Sequence, residues 1–444
     1  MKLPWLAWIP SRSGMLRGLR RGLNLVCFAV ALTLLLGSSN LPPGDRLERI
    51  RFYTRAIEFD FLEWTVQALG TKLEQAVLDT ASYLPADTSP ATVLAYMDLL
   101  RQINALQGQI QDVYADPAIA DPLTASADLR RTLEALKRQR SVVEPVAESI
   151  LQNQLGVAAA EAGLTFGGQT IPPALYHTTP PPSALIVSPR DDIRQDFNIS
   201  VSPDLSLEDQ VALENQVDQA LNVSSLVVGI GGIGLYPTMV METTDINWLA
   251  EVVAHEWIHN YLTLRPLGLS YEASPELRTM NETTAAIAGK ELGRRVVERF
   301  YPAYLPPPPL AETDVPAATG AATQDEAPRF DYRAEMRQTR VRLDELLSQG
   351  QIEAAEAYME QRRQVFWENG YHIRKINQAF FAFHGAYADE EGGAAGTDPV
   401  GAAVRRLRQQ SPSLNAFINR IAWMVSFEQL QSSVNQTTPA PGVR

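Results

Sequence analysis

A single cysteine, Cys27, occurs in 444 residues. That scarcity excludes an intrachain disulfide framework and any metal site built on thiolates. Basic residues are outnumbered, 38 Lys and Arg against 51 Asp and Glu, for a formal net charge of -13. Nucleic acid is therefore not an expected partner, since phosphates need a basic face. Long apolar runs are missing too. The best, residues 23–37, falls short of the roughly 20 residues that a full membrane span takes. It follows a leader carrying Lys2, Arg12, Arg17, Arg20 and Arg21, and no acidic residue precedes Asp45. A basic flank before an apolar run reads as a secretory signal or a membrane anchor held basic end inside. Gly37-Ser38-Ser39 suits a signal peptidase, and Cys27 lacks the small residues that precede a lipoprotein cysteine. Residues 1–40 leave cleaved signal and retained anchor both open. Either one exports the remainder, so the expected location is the cell membrane or beyond it.

What is present is a globular composition. Hydrophobic residues make up 45%, and the length suffices for two or three domains. Residues 45–160 read as helical. Leu47, Ile50, Phe52, Tyr53, Ile57, Phe61, Trp64 and Leu69 recur at helical spacing behind Asp45, a candidate N-cap, and further runs cover 91–114 and 126–156. No residue in this region stands out as chemical, and it reads as a spacer or docking layer. A stretch rich in Gly, Thr and Pro over 166–183 marks a boundary. Strands are expected over 184–188 and 197–201, and an amphipathic helix over 205–221. Residues 225–230 and 234–242 read as a hairpin turning at Gly231-Gly232. The cluster from Gly229 to Gly234 lacks the Walker lysine and leads into a strand, so a tight turn is preferred to a nucleotide cradle.

Residues 302–328, rich in Pro, Ala, Thr and acid, read as an unfolded linker. Helices resume over 330–350. An aromatic stretch over 354–383 continues through His384 to Tyr387, and residues 402–430 give two closing helices. The tail from Asn435 reads as disordered. The fold class expected is α+β and mostly helical, with a small mixed sheet in 166–301 and a C-terminal helical subdomain over 329–434.

Histidine is also scarce, at five, yet two fall in Glu251-Val-Val-Ala-His-Glu-Trp-Ile-His-Asn-Tyr-Leu-Thr263. Histidines four apart on a helix project from one face. His255 and His259 can then hold one metal ion, and Glu256 can act on water at that ion. Val252, Val253, Trp257, Ile258 and Tyr261 surround the motif with apolar surface. Such a helix is buried, a costly place for two His and a Glu unless something pairs them. Asp245 is its candidate N-cap, and Arg265-Pro266 with Gly268 ends it. A second helix is expected from Ser274 or Pro275 to Phe300. Glu282 on it lies 23 residues after His259, a spacing that lets the helix fold back and aim a carboxylate at the same ion.

The pair His255-Glu-x-x-His259 and Asn281-Glu282-x-x-Ala285 resembles the thermolysin-like gluzincin metallopeptidases, and more narrowly a family of predicted bacterial membrane-associated aminopeptidases. The specific likeness covers residues 235–300, with a weaker echo over 375–418. It implies a zincin-like catalytic domain, Zn²⁺ held by His255, His259 and Glu282, Glu256 as general base, and an extracytoplasmic peptide or protein substrate. One departure stands out. Where those enzymes carry an Asp that orients a ligand histidine, this chain has Ala286. Asp245 and Glu251 are both candidates for that duty. Tyr387, His384 and Tyr371 are candidates for the oxyanion donor, with Tyr371 and Asn377 also placed to contact substrate. The strand over 236–242 is expected to be the edge where an extended substrate pairs. Met241-Glu242 faintly resembles the Met-Glu element with which some aminopeptidases grip an amino group. The competing expectation is an envelope scaffold that keeps the fold without turnover, against which the intact Glu256 counts.

Overall fold

The computed structural model describes residues 45–78, 89–116, 118–306 and 330–435. The signal or anchor expected over 1–40, most of the linker expected over 302–328 and the tail after Asn435 lie outside them. Among the described residues no helix is long and apolar enough to cross a membrane.

Helix α1 (Arg46–Thr54) belongs to a unit of its own. It begins where expected, with the Asp45 carboxylate accepting from the amides of Leu47 and Glu48. The described chain from Ala56 onward forms the second unit, which is mostly helical with two small sheets. It opens with α2 (Phe61–Leu78), α3 (Ser89–Ala115), the single turn α4 (Pro122–Ala125) and α5 (Ala127–Glu161). The helical reading of 45–69 breaks before α2, where the chain is extended. There Phe59 donates its amide to Ser200, and Ile57 accepts from Ser202. Apolar residues three and four apart on α3 (Val93, Tyr96, Met97, Leu100) share one core with Ile150, Leu151 and Leu155 of α5.

Strands follow: β1 (Tyr176–Thr178), β2 (Ser183–Pro189) and β3 (Phe197–Val201). Helix α6 (Leu207–Leu221) is capped by Ser206 and closed by Asn222 in the left-handed region, which asparagine tolerates. Then come β4 (Val223–Gly229), β5 (Gly232–Ile233) and β6 (Thr238–Val240). β2 is the centre of an antiparallel sheet with β3 and β4 at its sides. The other sheet is mixed, with β6 between a parallel β1 and an antiparallel β5.

Two expectations fail here, for one reason. Residues 225–230 and 234–242 do not form a hairpin, because β4 and β6 belong to different sheets. The glycine tract is not the turn of such a hairpin: Gly229 ends β4, and Gly232 begins β5, a short strand of the mixed sheet that pairs with β6. It follows that 236–242 does not supply the edge. β6 is central, and β5 holds the open side. Register pairs Gly232 with Val240 and Ile233 with Met239, and the Met241 amide donates to the Gly231 carbonyl. Bonded pairs alternate along an antiparallel ladder, so Gly232 turns its own N–H and C=O away from β6.

The chain continues through α7 (Ile246–Thr263), the single turn α8 (Pro266–Leu269) and α9 (Pro275–Phe300). The later segment gives α10 (Tyr332–Ser348), α11 (Ile352–Glu368), α12 (Gln378–His384), α13 (Pro399–Gln410), α14 (Leu414–Ile421) and α15 (Phe427–Asn435). The aromatic stretch over 354–383 is thus two helices, broken after α11 at Gly370, whose φ of 86° no helix accommodates. Residues 402–430 contribute to three helices rather than two, the first break falling at Ser411-Pro412-Ser413. One core runs through α3, α5, α7, α9 and α13–α15. A second joins β2 and β4 to α10, α11 and α12.

One buried polar cluster ties the first helices to the mixed sheet. The Glu148 carboxylate on α5 accepts from Lys72 of α2, from Gln75, from the Thr178 amide at 2.7 Å and pairs with His177 Nδ1 at 3.0 Å. Glu148 is 1% and Lys72 5% exposed.

Candidate metal centre

Helix α7 starts at Asp245, whose carboxylate accepts from the amides of Asn247 and Trp248. Val253, Trp257, Ile258 and Leu262 are fully buried, as the all-round apolar pattern requires. Asn260 donates to the Leu235 carbonyl and the Thr238 hydroxyl, fixing the mixed sheet alongside. After α8, Ser274 caps α9 with Pro275 in its first turn.

The two helices meet at glycines. A Cβ on Gly289 would lie 2.9 Å from the His255 Cβ, and one on Gly293 would lie 2.7 Å from the Glu251 Cα. Only hydrogen fits there, and that lack of a side chain sets the separation of the helices. Gly289→Ala is therefore expected to destabilise by about 1–3 kcal/mol through overpacking, against a helix propensity that favours Ala by about 0.8–1.0 kcal/mol. It should also weaken metal binding by displacing His255. Gly156→Ala on α5, where nothing lies within 4 Å, is the control and should be neutral or stabilising. Thermal melts with metal titrations check this; equal behaviour of the two variants would refute the close-contact argument.

At the centre, the Nε2 atoms of His255 and His259 are 3.1 Å apart. Glu282 Oε2 lies 3.6 Å from the first and 3.5 Å from the second. A tetrahedral ion with donors at about 2.0–2.1 Å holds those donors roughly 3.3 Å apart. The three separations bracket that value. Glu282 Oε2 is moreover buried with no hydrogen-bond partner, an expensive state that an ion relieves. The three residues therefore form a group able to hold a metal ion. Burial works against charge on each, but the pair of opposite charges prevails. His259 is raised to about 9, chiefly by Glu282, and Glu282 is held well below the usual carboxylate range by the two histidines.

The partners of these side chains come from the second helix and the loop. His259 Nδ1 meets Asn281 Oδ1 at 2.8 Å, so the residue before Glu282 fixes the imidazole. The Tyr271 hydroxyl donates to Glu282 Oε1. Neither candidate from the sequence holds His259. Asp245 is occupied at the N-terminus of α7. Glu251, half-buried one turn before His255, is raised by burial. Ala286 is buried. Glu256 is 7% exposed, and burial raises its carboxylate.

These groups line a cleft of about 370 Å³ with Gly232, Gly234, Arg278, Phe383 and Tyr387 on its walls. The glycines explain themselves here. A Cβ on Gly232 would meet Glu256 Cγ at 2.8 Å, and one on Gly234 would meet His259 Cβ at 2.8 Å. The open edge of β5 thus runs directly beside the motif. Of the proposed oxyanion donors, Tyr387 is in the cleft, its ring 6.2 Å from that of His255. His384 does not line it; its ring packs on Phe380 at 4.4 Å. Tyr371 packs against Tyr332 at 4.7 Å and Phe330 at 5.7 Å in the second core, away from the cleft. Asn377 caps α12 and donates to the Ser225 carbonyl, so its amide is structural. Glu242 pairs with Arg140 at 2.9 Å outside the cleft. Sequence reasoning missed Tyr271 and Arg278, and gave Asn281 no role beyond its place in the motif.

No protein family, no curated protein and no solved structure matches this chain.

Proposed function

We propose that the cleft is the active site of a metal-dependent hydrolase. More narrowly, the chain is a zinc peptidase with a zincin-like catalytic domain of the gluzincin type, acting on peptides in extended conformation. One observation carries this reading: three donors at tetrahedral spacing sit beside a free carboxylate, Glu256, under an open strand edge. Two imidazoles and a carboxylate are a ligand set that suits Zn²⁺ and leaves a position open for chemistry. Zinc held there would supply Lewis acidity, activating a water and polarising the scissile carbonyl.

The chain's own residues do the rest. Glu256 takes a proton from the attacking water and passes it to the leaving amine. Tyr387 donates to the oxygen on which charge develops. The outward N–H and C=O of Gly232 pair with the substrate backbone, and the missing side chains at 232 and 234 let that backbone approach Glu256. Asn281 and Tyr271 keep His259 and Glu282 in register. The basic leader and apolar run of residues 1–40 support an activity outside the cytoplasm, at the membrane or beyond it.

A peptide-library digest by the zinc-loaded chain tests the proposal. Cleavage lost on chelation and restored by zinc supports it, and the new termini separate aminopeptidase from endopeptidase action. An untouched library under zinc saturation sinks it.

A further inference from the structure

Arg278 is only 8% exposed. It lies on α9 one turn before Glu282, on the same face, and lines the metal cleft. It also lines an adjoining cavity of about 530 Å³, so it stands where the two spaces meet. One Nη donates to the Ala382 carbonyl at 3.0 Å, while the Nε–H is buried and has no partner. Among the described residues no carboxylate forms an ion pair with it. The Tyr271 hydroxyl also touches the guanidinium, and Glu282 is near enough to feel its charge, but Glu282 spends Oε1 on Tyr271 and turns Oε2 to the histidines. The other guanidiniums around the adjoining cavity are satisfied. Arg340 pairs with Asp344 at 2.8 Å, and Arg194 with Asp196 at 2.8 Å and Asp192 at 2.6 Å.

A buried guanidinium with no carboxylate paired directly to it is costly, and its planar fork of donors matches a carboxylate in bidentate fashion. We infer that Arg278 receives a carboxylate of the substrate, making it a specificity-determining residue of the cleft. The carboxylate belongs either to a peptide C-terminus close to the scissile bond or to an Asp or Glu side chain next to it. The assignment to a peptide rests on the peptidase reading; the recognition of a carboxylate does not. Arg278 is also consistent with the missing Nε partner, which a bidentate carboxylate would supply together with a second Nη contact.

The test is a binding measurement on the zinc-loaded full chain carrying Glu256→Gln, so that nothing is consumed. Three probes are titrated calorimetrically: acetyl-pentaalanine with a free C-terminus, the same peptide as its C-terminal amide, and that amide with one Ala replaced by Glu. The expected result is that a carboxylate probe binds about 10-fold or more tighter than the neutral amide, the size of a charge-assisted hydrogen-bond pair. Which carboxylate probe gains identifies the source. Adding Arg278→Gln should erase the gain and leave the neutral amide within about 3-fold, and Arg278→Lys should restore part of it. Equal binding of the three probes, no binding of any, or a preference that survives Arg278→Gln each overturns the inference. The comparison among probes in the Arg278 background stands even if the Gln variant fails to fold. Digestion of the same peptides by the wild type reads the peptidase proposal separately. A carboxylate preference without cleavage refutes the peptidase alone, and cleavage without preference refutes the role of Arg278 alone.

Discussion

Glu256→Gln is expected to keep about one zinc per chain and to lose peptide cleavage by about 10²–10⁴-fold, the usual worth of a general base. The substitution preserves shape in a tight place, with Gly232 packed directly over the side chain. The amide has no basicity at neutral pH, so only proton uptake is removed. Zinc should stay because the three donors, His255, His259 and Glu282, are untouched. Metal analysis beside a digest of one peptide checks both halves. Cleavage at wild-type rate would eliminate Glu256 as base. Loss of zinc would instead make its carboxylate part of what holds the ion. Glu282→Gln makes the contrast, since it alters a donor and should lower zinc content outright.

The second large effect lies away from the cleft. Glu148→Ala is expected to cost about 3–5 kcal/mol, the range for breaking a buried ion pair from one side. Lys72, 5% exposed, would be left without its counter-charge, and the Thr178 amide without its acceptor. That is a large share of the 5–15 kcal/mol typical of a folded domain. Replacing both Lys72 and Glu148 by apolar residues of similar size should recover the part of the loss due to the unpaired Lys72 charge, but not the part due to the Thr178 amide. A single-variant cost under about 1 kcal/mol would refute the argument. The same cluster sets a pH dependence. Burial would raise Glu148, but Lys72 and His177 outweigh it and hold it at about 2. A carboxyl depressed on folding contributes its full stability above its unfolded value, about 4.3, and loses it as pH falls toward 2. Denaturation midpoints should therefore drop between pH 5 and pH 2, less steeply in a chain lacking Glu148. Because His177 and Thr178 lie on β1, and β1 supports β6 and through it β5, the loss should also loosen the cleft edge.

Much of the site was legible along the chain because its signals are local. The His255-Glu256-His259 spacing, the apolar surround and the Asp245 cap all sit within one helix, and α7 forms as they indicate. Glu282 was reachable because a short loop returns α9 antiparallel onto α7. What was not legible depends on contacts across elements. The partner of His259 is Asn281, which a reading of α7 alone does not reveal; Asp245 and Glu251 are candidates only for orienting a ligand histidine, and neither holds His259. Along the sequence the glycine tract from 229 to 234 reads as a turn, since glycine most often marks one. Its actual use is close approach to α7, which shows only when Glu256 and His259 are placed beside it. Asn377, Tyr371 and His384 attracted notice as polar or aromatic residues in a stretch near Tyr387. Only the break after α11 and the packing of α12 separate Tyr387 from them. Arg278 carried no sequence signal, since an arginine in a helix is ordinarily solvated.

The meeting of α7 and α9 at Gly289 and Gly293 has a thermodynamic consequence. The donors belong to two helices that glycine alone holds at this separation, so an ion between them is a cross-link present only in the folded chain. Ligands of that kind add RT ln(1 + [L]/Kd) to stability, about 4 kcal/mol at a thousand times Kd. The melting temperature should then rise with free zinc concentration, and the chain would be most easily unfolded, and most open to proteolysis, wherever zinc is scarce.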